Sequence, residues 1–257
     1  MSHPKNRVLV IAHRGASGIA PENTLSAIKE AMAMGADMIE LDIRQTRNGT
    51  VVIIHDKTVS RTSDGKGSVK DFTFEELGSL DAGSWFHPGF KNEKIPSLDS
   101  ILQEVKDKAK LLIEVKENRY SGIEKNIVQL LNKHAAKDWC IIQSFETGVL
   151  NNIKNLDPSI EIHKLVIGNI RGLPLHIDNC IRLGSIYKYN EVAAININFK
   201  LLNKKIIQKI HGQGQKVNTW TVNDPEDMKK MIEMDVDGII TNYPDQLIKV
   251  LGQYRKS

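Results

Sequence analysis

The sequence predicts an α/β fold: one TIM (β/α)8 barrel spanning residues 1–257, with a small insertion after its second strand. Three observations predict it. Short apolar, β-branched runs recur along the whole chain, each followed by a stretch with helical spacing, which is the pattern of βα units around a parallel sheet. Eight such runs in about 250 residues match the usual size of a closed barrel. The rhythm breaks once, in residues 44–110, where an extra strand and then a Gly- and Ser-rich stretch read as inserted. An open doubly wound sheet is the alternative, but its dinucleotide fingerprint is missing. Gly212-Gln213-Gly214 falls between a helix and the next strand, where a turn explains it.

The barrel strands are expected at residues 7–12, 38–43, 111–115, 140–145, 161–167, 193–197, 216–222 and 238–241, all short and rich in Val, Ile or Leu. Helices are expected after them, for example at 24–34, 123–134, 204–211, 225–234 and 244–254. Pro21-Glu22-Asn23-Thr24 precedes the first of these, so Asn23 or Thr24 should cap it, with Glu22 either on the surface or supporting the site. Residues 51–55 read as the extra strand. Residues 57–96 then form the insertion, and Phe72, Phe74, Trp85, Phe86 and Phe90 give it enough aromatic surface for a satellite core. Gly65-Lys66-Gly67-Ser68 lacks the upstream glycine and the strand-to-helix context of a phosphate loop and reads as a turn.

Composition removes several function classes. The chain has 35 Lys and Arg against 31 Asp and Glu, a formal charge of +4, and its basic residues are interspersed with acidic ones on helix faces. Those are solvated faces, not the basic stripe that phosphate neutralisation on nucleic acid requires. Cys140 and Cys180 are too few and too far apart for a disulfide framework or a Cys-x-x-Cys metal site, so a reducing, cytoplasmic setting is expected. The apolar run Val8-Leu9-Val10-Ile11-Ala12 is too short for a secretory leader, and no later run reaches the ~18 apolar residues of a spanning helix. With no basic amphipathic helix or lipidation signal, stable membrane association is not expected.

The chemistry concentrates at strand ends. Met38-Ile39-Glu40-Leu41-Asp42-Ile43 alternates, so Glu40 and Asp42 share one face of the strand while Ile39, Leu41 and Ile43 share the other. A parallel strand covered on both sides cannot leave two carboxylates unpaired, and a cation is their natural partner. On the third barrel strand Glu114 and Lys116 repeat the device near the C-terminal end, where barrel active sites sit. Alone, those two could equally be a buried ion pair. Three carboxylates without cysteine make an oxygen-only shell suited to one divalent cation, Mg²⁺ or Ca²⁺. His13 follows the first apolar run and His55 the extra one, so two imidazoles should meet at the same mouth as a general acid and a general base. Arg14 and Lys116 add positive charge suited to a phosphate or carboxylate. Gly15-Ala16-Ser17-Gly18-Ile19 breaks the nucleophile-elbow pattern at Ile19, and Ser17 has no evident triad, which argues against a serine hydrolase.

His13-Arg14-Gly15, Pro21-Glu22-Asn23-Thr24, Glu40-Leu41-Asp42, His55-Asp56 and Glu114-Val115-Lys116, in this order and spacing, closely resemble the glycerophosphodiester phosphodiesterase family. The resemblance runs over residues 8–245 and includes Thr219-Trp220-Thr221-Val222-Asn223 and Thr241-Asn242-Tyr243-Pro244 at the last two strand ends. It implies a TIM barrel with an insertion after the second strand. It further implies Glu40, Asp42 and Glu114 as metal ligands, His13 and His55 as the acid–base pair, Arg14 and Lys116 on the phosphate, and Trp220 in the substrate pocket. At position 242 many relatives carry Asp where this chain carries Asn. The implied reaction is hydrolysis of glycerophosphodiesters, such as glycerophosphocholine or glycerophosphoethanolamine, to sn-glycerol 3-phosphate and an alcohol through a cyclic phosphate. A phospholipase C- or D-like enzyme acting on intact lipid would need a docking surface. A non-catalytic phosphate-binding barrel could dispense with the histidines or the acidic trio, all of which are present. The residues leave the head group, the ion and the oligomeric state open.

Overall fold

A computed structural model describes residues 7–116, 122–167 and 189–254; Cys180 lies outside them. Nine strands form one sheet: β1 (Leu9–His13), β2 (Met38–Gln45), β3 (Val51–Ile53), β4 (Lys110–Val115), β5 (Cys140–Ser144), β6 (Glu161–Val166), β7 (Ala194–Asn198), β8 (Lys216–Trp220) and β9 (Gly238–Thr241). All but β3 pair in parallel, in the order β1-β9-β8-β7-β6-β5-β4-β2, and β2 pairs back onto β1 to close the barrel. The described α-helices are α1 (Leu25–Ala33), α2 (Phe74–Leu77), α3 (Leu98–Val105), α4 (Ile123–Lys133), α5 (Thr147–Leu156), α6 (Lys204–His211), α7 (Pro225–Glu233) and α8 (Pro244–Tyr254). Among the described residues no helix is long and apolar enough to cross a membrane.

The period-two alternation of each strand sorts its side chains. Val10, Ala12, Ile39, Leu41, Ile43, Leu111 and Ile113 join the large core beneath the helices, while Ile11, Met38, Leu112, Ile141 and Ile240 form a separate apolar cluster. Their alternates further along the same strands are polar: His13 on β1, Glu40 and Asp42 on β2, Glu114 on β4 and Gln143 on β5. The apolar cluster therefore floors a polar site.

The extra strand has a geometric consequence. On β2, residues Met38, Ile39 and Glu40 pair with β1, whereas Ile43, Arg44 and Gln45 pair antiparallel with β3. Because β4 pairs along Met38 to Ile43, β3 must occupy the edge of β2 beyond the end of β1. Running backwards along that edge, the chain keeps one more bond, from Ile54 N–H to the Asp42 carbonyl at 2.9 Å, and then leaves the ladder at His55. This is why the strand expected over 51–55 ends at Ile53 and why His55 arrives at the barrel mouth.

Beyond β3 the expected satellite core exists, with a different composition. Val52 and Ile54 meet Val59, Val69, Leu77, Ala82 and Ile95, with Phe72 and Phe74 packed against them. Trp85, Phe86 and Phe90 instead stack edge-to-face in a row, each pair of ring centroids 5.7 Å apart, and Trp85 is exposed. Aliphatic side chains suffice to fill so small a core, so the larger rings stay near the surface. Gly67, with φ of 124°, bends the chain, and residues 67–69 then run beside 57–59, Ser68 bridging to Thr58, rather than forming the turn expected over residues 65–68.

Candidate active site

Glu40 and Asp42 project from β2 and Glu114 from the adjacent β4, where Asp42 and Glu114 are register partners. One carboxylate oxygen from each lies within 4.8 Å of the others, and all three residues are buried. Asp42 Oδ1 accepts no hydrogen bond, and Lys116 Nζ stands 3.4 Å away. Hard oxygen donors gathered this closely, one of them unsatisfied, could hold a divalent cation.

The surrounding charges show how unequal the three acids are. Burial pushes all of them towards the neutral form, but at Asp42 the Arg14 guanidinium, followed by Lys116 and the two histidines, outweighs it and holds the carboxyl at about 2. Glu114 is pushed up to about 7 by burial and then by the Asp42 charge, despite the Lys116 ammonium at 2.6 Å. Glu40 is raised well above the usual range by burial and the charges of Asp42 and Glu114. Three acids that resist ionising together become compatible when a cation joins them.

The β1–α1 turn supplies the next layer. His13 ends β1, and its Nδ1 lies 2.6 Å from Asn242 Oδ1 just past β9, which directs Nε2 towards Glu40 Oε2 at 3.9 Å. Burial first, and then the Arg14 charge, push its pKa down to about 4. Arg14, at φ 55°, donates its backbone N–H to Glu40 Oε2 at 3.0 Å and an Nη1 hydrogen to Glu22 Oε1 at 2.8 Å. Its Nε is at ion-pair distance from Asp42 Oδ2, 3.1 Å, but is not aligned for a hydrogen bond. Thr24 is the cap of α1, accepting from Ala27 N–H, while Asn23 turns the other way. Asn23 Nδ2 donates to Asp42 Oδ2 at 2.9 Å, and its Oδ1 accepts from the Asp42 backbone at 3.2 Å.

From the other side His55 hydrogen-bonds Asp56 Oδ1 through Nδ1 at 2.7 Å, and its pKa is lowered by burial and then by Arg14 and Lys116, against the pull of Asp42. Arg61 grips Asp56 at 2.7 and 3.1 Å and Glu22 at 2.8 Å through two nitrogens. One residue of the insertion thereby ties the carboxylate behind His55 to the one behind Arg14. The groups open onto a cavity of about 300 Å³, lined by the polar side chains of His13, Arg14, Glu40, His55, Glu114, Lys116 and Gln143 and by the apolar ones of Phe145, Leu165, Ile167, Trp220 and Ile240. Trp220 lines it as expected, edge-to-face with Phe145 at 5.7 Å.

A family model described as the glycerophosphoryl diester phosphodiesterase family matches residues 13–246, the stretch that carries every group described above. The chain belongs to that family. It is an enzyme of the phosphodiesterase class. A glycerophosphodiester phosphodiesterase of Caldanaerobacter subterraneus is 38% identical over 95% of this chain and 98% of its own. One from Bacillus subtilis is 33% identical over 97% and 88%. Among solved structures, a phosphodiesterase of Oleispira antarctica in complex with the product sn-glycerol-3-phosphate has a TM-score of 0.84 at 28% identity, covering 95% of this chain and 96% of that one.

All ten site residues anticipated from the sequence meet at this mouth or directly support it. Sequence reasoning missed Arg61, Gln143, Phe145 and the partnership of Asn242 with His13. A signal existed for Gln143 and Phe145, which share the face of Ile141 by alternation along β5. None existed for Arg61, whose partner Glu22 is 39 residues away.

Proposed function

We propose that this phosphodiesterase hydrolyses small glycerophosphodiesters, such as glycerophosphocholine and glycerophosphoethanolamine, to sn-glycerol 3-phosphate and the free alcohol, and that it requires one divalent cation, Mg²⁺ or Ca²⁺. The observation that carries this reading is the convergence of a buried trio of carboxylates with two imidazoles and two cationic side chains at a cavity sized for a small molecule, which Glu40 and Glu114 of the trio line. Glu40, Asp42 and Glu114 would hold the cation, which when bound supplies Lewis acidity to a phosphate oxygen and to the attacking hydroxyl. Arg14 and Lys116 would meet the remaining phosphate charge as it grows in the transition state.

His13 and His55 would divide the proton transfers. One takes the proton of the glycerol hydroxyl next to the phosphate while that oxygen bonds to phosphorus. The other gives a proton to the head-group oxygen as its bond to phosphorus breaks, and water then opens the cyclic phosphate. Attack from within the substrate has a high effective molarity, which supports this route over direct attack by water. The apolar wall of Phe145, Leu165 and Trp220 supports a head group carrying methyl or methylene groups. A cytoplasmic setting is supported by the sparse cysteines.

The test is release of sn-glycerol 3-phosphate from glycerophosphocholine before and after EDTA treatment. Activity should disappear with EDTA and return with Mg²⁺ or Ca²⁺. No turnover with either ion, or full turnover after complete chelation, overturns the proposal.

A further inference from the structure

Beneath the site, the barrel interior holds polar residues that the proposed reaction does not use. Gln143 on β5, Asn196 on β7 and Asn218 on β8 are each 2% exposed or less. They form a single hydrogen-bonded series. Asn218 Nδ2 donates to Asn196 Oδ1 at 2.9 Å, Asn196 Nδ2 donates to Gln143 Oε1 at 2.7 Å, and Gln143 Nε2 donates to Glu40 Oε1 at 3.2 Å.

The direction of this series is dictated by its end. When Glu40 is ionised, as a bound cation would keep it, its carboxylate can only accept, so Gln143 turns its NH₂ towards Glu40 and its oxygen away, which sets the same orientation on Asn196 and then on Asn218. Asn218 Oδ1, at the far end, has no hydrogen-bond partner. Space there is kept by Gly238, where a Cβ would come within 2.4 Å of that oxygen. The unsatisfied group thus sits at the end remote from the site, and every donor points towards it. Such aligned bonds polarise one another in a low-dielectric interior.

We infer that Gln143 is a positioning residue for the cation site: the Asn218–Asn196–Gln143 series fixes Glu40 in place from below, so that its carboxylate is already set beside Asp42 and Glu114. The inference rests on the cation reading given above. Glu40 Oε2 is held by the Arg14 backbone N–H, so both hydrogen bonds to this carboxylate come from neutral donors. Neutral donors fix orientation without cancelling the negative charge a cation needs, which a lysine in place of Gln143 would do. Two oxygens that accept one bond each keep lone pairs for a metal.

The experiment is calorimetric titration of Mg²⁺ and Ca²⁺ into the parent protein, Gln143→Met and Asn218→Leu, with circular dichroism and the melting temperature of each cation-free protein. Gln143→Met should weaken cation binding by roughly 10–100-fold, the usual effect of removing a partner of a metal ligand, and kcat should recover to within a few-fold at saturating cation. Asn218→Leu, two links away and outside the cavity, should shift affinity in the same direction by less, which keeps the test alive if the first variant does not fold. A lower melting temperature with unchanged cation affinity in the folded variants overturns the positioning role and leaves the cation reading standing. A parent protein that binds neither ion overturns both.

Discussion

Asp42 and Glu114 are neighbours in register, both buried, yet one is held at about 2 and the other lifted to about 7, because the positive charges favour Asp42. If the trio holds the cation as proposed, losing any member would remove a negative charge from its shell. Glu40→Gln, Asp42→Asn and Glu114→Gln should each weaken Mg²⁺ or Ca²⁺ binding by more than the ~10–100-fold of an indirect change, with far-ultraviolet circular dichroism preserved. Unchanged calorimetric affinity in all three would show that the ligands lie elsewhere. Burial depresses the pKa of both His13 and His55 below the ordinary imidazole value, which favours the neutral, proton-accepting form of each. His13→Ala and His55→Ala should each lower kcat by ~10²–10⁴, and the double variant should lose far less than the product of the two. Near-parental kcat in either single variant at neutral pH would return that histidine to a structural role.

At the scale of elements, the turn from β1 into α1 sets how the site is presented. Arg14 at φ 55°, Gly15 at φ 78° and Asn23 at φ 60° all lie in the left-handed region, and two of them have side chains in the site. Such a turn persists only because its surroundings hold it. At Gly15 a Cβ would sit 2.6 Å from the Ala27 carbonyl carbon and 2.7 Å from its oxygen, so the turn and α1 touch backbone to backbone. Gly15→Ala should therefore destabilise the protein by at least about 2 kcal/mol, from the left-handed penalty and the overlap together, and should misplace Arg14. Urea unfolding checks this, and a midpoint matching the parent would mean that α1 can move aside. The extra strand β3 was readable in outline from the apolar run at 51–55, but its antiparallel pairing with β2 was not. Nor was its edge-sharing with β1, because which strand occupies an edge depends on where its neighbour stops.

For the whole molecule, closure of the sheet creates an interior where polar groups are kept from water. His163 on β6 is buried there, bonded through Nε2 to Glu161 at 2.9 Å and facing the Asn196 amide through Nδ1 at 3.5 Å. Burial lowers its pKa below the ordinary value. The unfolded chain then takes up a proton near pH 6.5 that the folded chain resists, so this contribution to stability is complete above pH 6.5 and is lost as the pH falls below it. Glu161, whose carboxyl is lowered by the same imidazole, adds a loss of the same sign below its own unfolded value. Glu114 works the other way, since the folded protein binds its proton more readily between 4.5 and about 7. Comparing the parent with His163→Gln removes both the His163 contribution and the Glu161 contribution that depends on it. Stability from urea unfolding should fall more steeply from pH 7 to pH 5 in the parent, and parallel slopes would exclude His163 as a source of acid sensitivity.

By itself the sequence determined the eightfold βα repeat, the sharing of a face by Glu40 with Asp42 and by Glu114 with Lys116, and the placing of His13 and His55 after apolar runs. These follow from the period of a strand and from what a buried sheet tolerates, which are local properties. Only the tertiary structure decided which faces meet: His13 with Asn242 across 229 residues, Gln143 with Glu40 across 103, and Arg61 with Glu22 across 39. Those partnerships depend on barrel closure and on how the insertion folds back, and strand periodicity carries no information about either. The surface placement of Trp85 is of the same kind, because a small core accepts whichever apolar side chains the backbone brings to it.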